Sequence, residues 1–154
     1  MNFKVKNKIQ SKKNFLFLIW IALSCFTASA QNPSLIPLPQ SVEWINGYIS
    51  LNHYKTITIN EISLRKLATE LQKIVKEAGG NSTVNSKVNS TASPLIELIL
   101  GKVESPFLLS EAYQLNVSEN KMMLTANTLH GIFNGLQTIK QLIRMKNSNQ
   151  VVAI

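Results

Sequence analysis

The chain contains no aspartate. Its eight acidic residues are all glutamates: Glu43, Glu61, Glu70, Glu77, Glu97, Glu104, Glu111 and Glu119. A Ser/His/Asp triad is therefore excluded, and nothing in the order of residues nominates a Ser/His/Glu substitute. There is one cysteine, Cys25, and it lies in the first 30 residues. Beyond that segment the chain has no thiol nucleophile, no disulfide and no Cys zinc site. The two histidines, His53 and His130, are far apart in sequence. They form no His-Glu-x-x-His motif, and a surface or boundary position suits His130 better than a metal-ligand role. No glycine-rich phosphate loop opens a helix either, since Gly79-Gly80 follows one. The residues thus nominate no catalytic group, no metal ligand and no cofactor, and they leave any substrate-binding residue unknown.

The formal charge of +8 is misleading. Lys4, Lys6, Lys8, Lys12 and Lys13 fall in the first 30 residues, which hold no acid. Without that stretch, 11 basic residues face 8 acidic ones, a balance of +3. No basic stripe interleaved with aromatics remains, so a nucleic-acid partner is not expected.

Residues 1–30 read as a secretory signal peptide. A lysine-rich start leads into the apolar run Phe15 to Leu23, and Ala28-Ser29-Ala30 offers a small-residue cleavage pattern. Cleavage is expected between Ala30 and Gln31. The competing reading is an uncleaved anchor, but the run is short for a span of about 20 residues. A lipid-modified Cys25 is a weaker alternative, because Ala22-Leu23-Ser24-Cys25 lacks the usual leucine three residues before cysteine. Export without disulfides suits a bacterial periplasmic, surface or extracellular protein, with no membrane attachment after cleavage.

The most structured stretch runs from Glu111 to Arg144. Tyr113, Leu115 and Val117 alternate with Gln114, Asn116 and Ser118, the period of a half-buried strand. Glu119 to Lys121 make a turn, and Met122, Leu124 and Ala126 alternate on the return strand. Asn127 or Thr128 can cap a following helix. Leu129, Ile132, Phe133, Leu136, Ile139 and Ile143 then trace one apolar helix face. Gly131 and Gly135 lie inside that helix, each costing about 1 kcal/mol relative to alanine. Four residues apart, they predict close approach of the helix to another backbone. Membrane-helix dimerisation, the other use of such a pair, does not suit a helix carrying Asn134, Gln137 and Lys140.

Earlier in the chain, Pro33, Pro37 and Pro39 predict an extended leading segment. Ser41–Trp44 and Tyr48–Leu51 are expected to pair as a hairpin across Asn46-Gly47, with Trp44 and Tyr48 packed. Thr56–Ile59 reads as a strand. A helix follows, with Leu64, Leu67, Ala68, Leu71, Ile74, Val75 and Ala78 on one face, Asn60 or Ser63 as its cap, and Gly79-Gly80 as its stop. Residues 81–93 are polar and repetitive, and are expected to form a flexible loop. Leu95–Leu100 reads as an interior strand. Asn147 to Asn149 form a turn, after which Val151 to Ile154 begin another strand. The expected fold class is α+β: a mixed or antiparallel sheet with two helices packed on one face.

Two of these stretches carry a family resemblance. Thr125-Ala126-Asn127, Gly131-Ile132-Phe133-Asn134-Gly135-Leu136-Gln137-Thr138 and Gln141-Leu142 resemble the end of the small N-terminal domain of glycoside hydrolase family 20, the β-N-acetylhexosaminidases. Ile36-Pro37-Leu38-Pro39-Gln40-Ser41-Val42-Glu43-Trp44 resembles that family's Pro-x-Pro start. The resemblance spans residues 33–154, and neither motif is catalytic. It implies a zincin-like topology without a metal site. It also implies a substrate-assisted glycosidase mechanism whose Asp-Glu pair lies in a separate (β/α)8 barrel, acting on terminal N-acetylhexosamine of glycans or chitooligosaccharides. A chain without aspartate cannot carry that pair, so no catalytic residue is transferred.

Such a barrel takes about 250 residues, and four residues follow Gln150. The expected organisation is a signal peptide over 1–30, the accessory domain over 31–150, and the start of a missing catalytic barrel at 151–154. Exposed apolar residues at Val151–Ile154 would form part of the joint. The rival expectation is a free-standing exported module that binds carbohydrate or protein.

Overall fold

The computed structural model describes residues 34–45, 47–85, 94–106, 109–144 and 150–154. Among them run β1 (Tyr48–Ser50), β2 (Thr56–Ile59), α1 (Arg65–Glu77), β3 (Thr83–Asn85), β4 (Leu95–Leu100), β5 (Tyr113–Val117), β6 (Lys121–Ala126), α2 (Leu129–Arg144) and β7 (Gln150–Val152). The signal-peptide segment, with Ala30 and Gln31, lies outside the described residues, as do Asn46 and the expected turn at 147–149.

The main sheet has five strands in the order β3-β2-β4-β6-β5. Its pairs are parallel except for the β5–β6 hairpin, so the sheet is mixed. Register puts the apolar residues on one face. Ile57 lies opposite Ile96, which lies opposite Met122; Ile59 aligns with Leu98 and Leu124; Leu115 and Val117 continue the rows on β5. Because side chains alternate with period two, this alignment gives one continuous apolar surface. α1 covers it over β2 and β3, α2 covers it over β4, β5 and β6, and the helices touch each other. The expected α+β architecture, with both helices on one face, is the one observed.

Helix α1 starts differently from the local pattern. A 3-10 turn, Ile62–Leu64, precedes α1, and no side chain caps it. Asn60 is drawn away: its amide donates to the Leu100 carbonyl and accepts from the Leu100 amide, both at 2.9 Å, bridging the ends of β2 and β4. The stop is as expected. Gly79 adopts φ +85°, where a side chain would be strained, and the Gly80 amide donates to the Val75 carbonyl at 2.9 Å.

α2 does have a side-chain cap, and it is Thr128. Its hydroxyl accepts from the Gly131 amide at 3.2 Å. The same hydroxyl donates to the Ser110 carbonyl. Asn127 is used elsewhere, as described below. Replacing Thr128 by alanine should cost about 1 kcal/mol, read as a lower urea midpoint at unchanged slope. An unchanged midpoint would show that the cap contributes nothing.

Three local expectations are overturned. Ser41–Trp44 joins no ladder. Tyr48–Ser50 pairs instead with β7, in antiparallel register Tyr48 to Val152 and Ser50 to Gln150. The alternation is genuine, since Val42 and Trp44 pack on the core while Ser41, Glu43 and Ile45 are exposed. It reports burial, however, and does not choose the partner. Buried Val151 and Val152 are the partners that β1 takes.

Secondly, residues 81–85 are anchored and paired with β2 rather than loose. Ser82 is buried and donates its hydroxyl to the Tyr54 carbonyl at 2.6 Å, which leads into edge strand β3. Residues 86–93 lie outside the described residues.

Thirdly, the apolar face of α2 is narrower than its periodicity. Ile132, Leu136, Ile139, Leu142 and Ile143 are buried, but Leu129 and Phe133 are 44% and 42% exposed. The sheet and α1 together cover an arc of the helix that stops short of these two residues.

Candidate functional site

The charged residues that the structure describes are paired or at least partly exposed at scattered positions. Glu97 pairs with Lys121 on the sheet face away from the helices. Glu104 pairs with Lys102 at 2.6 Å and Glu77 with Lys73 at 3.9 Å; these four side chains are largely exposed. Exposed pairs of this kind contribute less than about 1 kcal/mol each. His53 and His130 are both exposed, and the His53 ring meets Tyr54 edge-on at 6.2 Å. Among the described residues, no three His, Cys, Asp or Glu side chains gather as metal ligands. No helix among them is long and apolar enough to cross a membrane.

The constellation that is built lies around the start of α2. Asn127 Oδ1 accepts from the Val103 amide at 2.8 Å, while Nδ2 donates to the Val103 carbonyl at 2.9 Å and the Leu109 carbonyl at 3.0 Å. Together with Thr128 on Ser110, this ties down the segment before β5. Gly131 lets that segment come close. A Cβ on it would stand 2.6 Å from the Ala112 carbonyl oxygen and 2.8 Å from Ala126 Cβ. A Cβ on Gly135 would strike the buried Leu124 side chain. Sequence reasoning anticipated the close approach, but it missed Asn127 as an anchor. Its only signal was an asparagine beside a second capping residue.

A second anchor holds the leading segment. The Ile36 amide donates to Gln141 Oε1 at 2.9 Å, and Gln141 Nε2 donates to the Ile36 carbonyl at 2.7 Å. The Gln141 side chain thus serves as a one-residue strand partner. Leu35 is buried behind this clamp, whereas Ile36 and Leu38 remain 76% and 84% exposed.

The aromatic and terminal expectations divide. Trp44 packs on the core, Tyr54 is buried, and the Tyr113 hydroxyl meets Thr138 Oγ1 at 2.6 Å. Tyr48, expected to pack, is 52% exposed. Phe107 lies outside the described residues. Val151, Val152 and Ala153 are buried, not exposed, because β1 and α2 already cover them. Those three residues therefore form part of this domain's own core.

Taken together, a mixed sheet with both helices on one face and two backbone-anchoring side-chain amides defines an α+β domain. The sequence model of glycosyl hydrolase family 20, domain 2, matches residues 32–154. The chain belongs to that family. Its fold is shared with the family 20 β-N-acetylhexosaminidase from Streptomyces coelicolor A3(2), at TM-score 0.60 and 22% identity, over 78% of this chain and 25% of that one. The Streptomyces plicatus N-acetyl-β-hexosaminidase, solved in complex with Thio-NAglucal, gives TM-score 0.60 at 23% identity, over 78% and 25% of the respective chains. The chain thus spans about a quarter of the length of these structures. No curated protein shows significant similarity to the sequence.

Proposed function

We propose that residues 31–154 belong to the non-catalytic N-terminal accessory domain of an exported β-N-acetylhexosaminidase. The parent enzyme would remove terminal N-acetylhexosamine from glycans or chitooligosaccharides in the periplasm or outside the cell. The observation that carries this reading is the family match over residues 32–154, in a chain with no aspartate for the family's Asp-Glu pair. In this reading, residues 1–30 are removed at Ala30–Gln31, and the catalytic barrel is a separate domain of the parent enzyme. The domain's own work is to pack against that barrel, as interdomain surfaces do. The exposed apolar residues Ile36, Leu38, Leu129 and Phe133 supply surface for it.

Two measurements test the proposal. Purified protein should release no chromophore from an aryl N-acetylglucosaminide beyond a buffer blank; turnover above the blank would contradict it. The reading frame in the genome should continue into a barrel that contains an adjacent Asp-Glu pair.

A further inference from the structure

We propose that the outer edge of β5 accepts one more strand, antiparallel to it and in line with Ile154. That strand is supplied by the polypeptide joining this domain to the catalytic domain. The proposal rests on the accessory-domain reading above. It starts from a reciprocal pair of backbone bonds at one end of that edge: the Val117 amide donates to the Ile154 carbonyl at 2.7 Å, and the Ile154 amide donates to the Val117 carbonyl at 3.3 Å. Two bonds exchanged between the same two residues are the signature of an antiparallel ladder. Ile154 therefore already occupies the first rung of a sixth strand.

Among the described residues, the remaining rungs are open. Backbone groups on a strand point to alternate edges, so the amides and carbonyls of Leu115 and Tyr113 face outward with those of Val117. In the β5–β6 ladder these three residues lie opposite Leu124, Ala126 and Met122 respectively. No other described residue bonds to the outward groups of Leu115 and Tyr113. Side-chain burial follows the same division. Val117, beside Ile154, is fully buried, while Leu115 and Tyr113 on the same face are only half-buried. An unpaired edge next to half-covered apolar side chains is a template for strand addition.

Geometry also sets the chemistry of the incoming segment. Paired residues share a face, and Ile154 packs with Val117 against the helix-covered core. Positions two and four beyond Ile154 would then face Leu115 and Tyr113 and should be apolar. The positions between them share the face of Gln114 and Asn116 and should be polar. Such a strand would link the domains through the sheet itself rather than through a flexible tether. The family's solved structures, about four times the length matched here, contain chain enough to supply it.

The test compares the full chain with two versions extended after Ile154, one by Thr-Val-Thr-Val-Thr and one by the phase-inverted Val-Thr-Val-Thr-Val. Amide hydrogen exchange is followed by NMR. Leu115 and Tyr113 should exchange fast in the unextended chain and slow by about tenfold or more with the in-phase extension only. Fast exchange in all three proteins would overturn the proposal, as would equal protection by both extensions. Protection already present in the unextended chain and rising with protein concentration would assign the edge to a second copy, also overturning it. The accessory-domain reading fails by a different route, through a continuing reading frame that encodes no catalytic barrel, and the exchange result would be unaffected.

Discussion

Gly131→Ala is expected to destabilise the domain by about 2 kcal/mol, although alanine is the better helix former by about 1 kcal/mol. The added methyl would lie 2.6 Å from the Ala112 carbonyl oxygen and 2.8 Å from Ala126 Cβ. Neither atom belongs to a flexible side-chain end. One is backbone, in a segment pinned by Asn127 and Thr128, and the other is the methyl of a fully buried residue on β6. Relief requires α2 to lift from β6 or the segment before β5 to shift, and overpacking of this kind costs up to about 3 kcal/mol or more. Gly135→Ala should cost less, because it meets the branched end of Leu124, which has other rotamers. Urea unfolding of the two variants beside the parent measures both. A gain in stability for Gly131→Ala would show that propensity outweighs packing and that the glycine has no steric purpose.

The second large effect concerns alkaline pH. Tyr54 is fully buried, and its hydroxyl donates to the Ser118 carbonyl at 2.5 Å. Burial first, and then the negative charge of Glu119, push its phenol far above the ordinary value near 10. An unfolded tyrosine ionises near pH 10, whereas folded Tyr54 keeps its proton. Above that pH the unfolded state binds fewer protons than the folded one, so stability falls as pH rises. The contribution is fully present below about pH 10 and is lost by about 1.4 kcal/mol per pH unit until the folded group titrates. By pH 11.5 the loss is about 2 kcal/mol from this residue alone. Tyr54→Phe should lose about 1 kcal/mol at pH 7 through the missing hydrogen bond. It should then show a shallower alkaline decline, so that the two proteins converge between pH 10 and 11.5. Parallel declines over that range would mean that Tyr54 ionises as readily folded as unfolded.

Most of the secondary structure was legible because its signals are local. The alternation in Tyr113–Val117 and Met122–Ala126, the stripes of the two helices and the Gly79 stop each depend on residues a few positions apart. The steric role of Gly131 was also readable, since a glycine within a helix is unfavourable unless something comes close. The misreadings share the opposite property. Ser41–Trp44 carries the right alternation yet takes no strand partner, because β7, about 100 residues away, holds the edge of β1. Asn60 and Asn127 look like caps, but distant backbone groups at Leu100 and Val103 claim their side chains. Ser82 looks like part of a polar loop, yet a carbonyl 28 residues earlier gives its hydroxyl a buried partner.

Composition alone excludes the arrangements that need aspartate, or a thiol beyond residue 30. Sequence by itself determined the element types and most of the covered faces, since each follows from residue identity and short-range periodicity. Only the tertiary structure decided which strands pair, which polar side chains anchor distant loops, and that Val151 to Ala153 are core rather than surface. Those outcomes depend on which backbone groups and apolar faces from remote parts of the chain meet and exclude water together, a competition that no local window of residues contains.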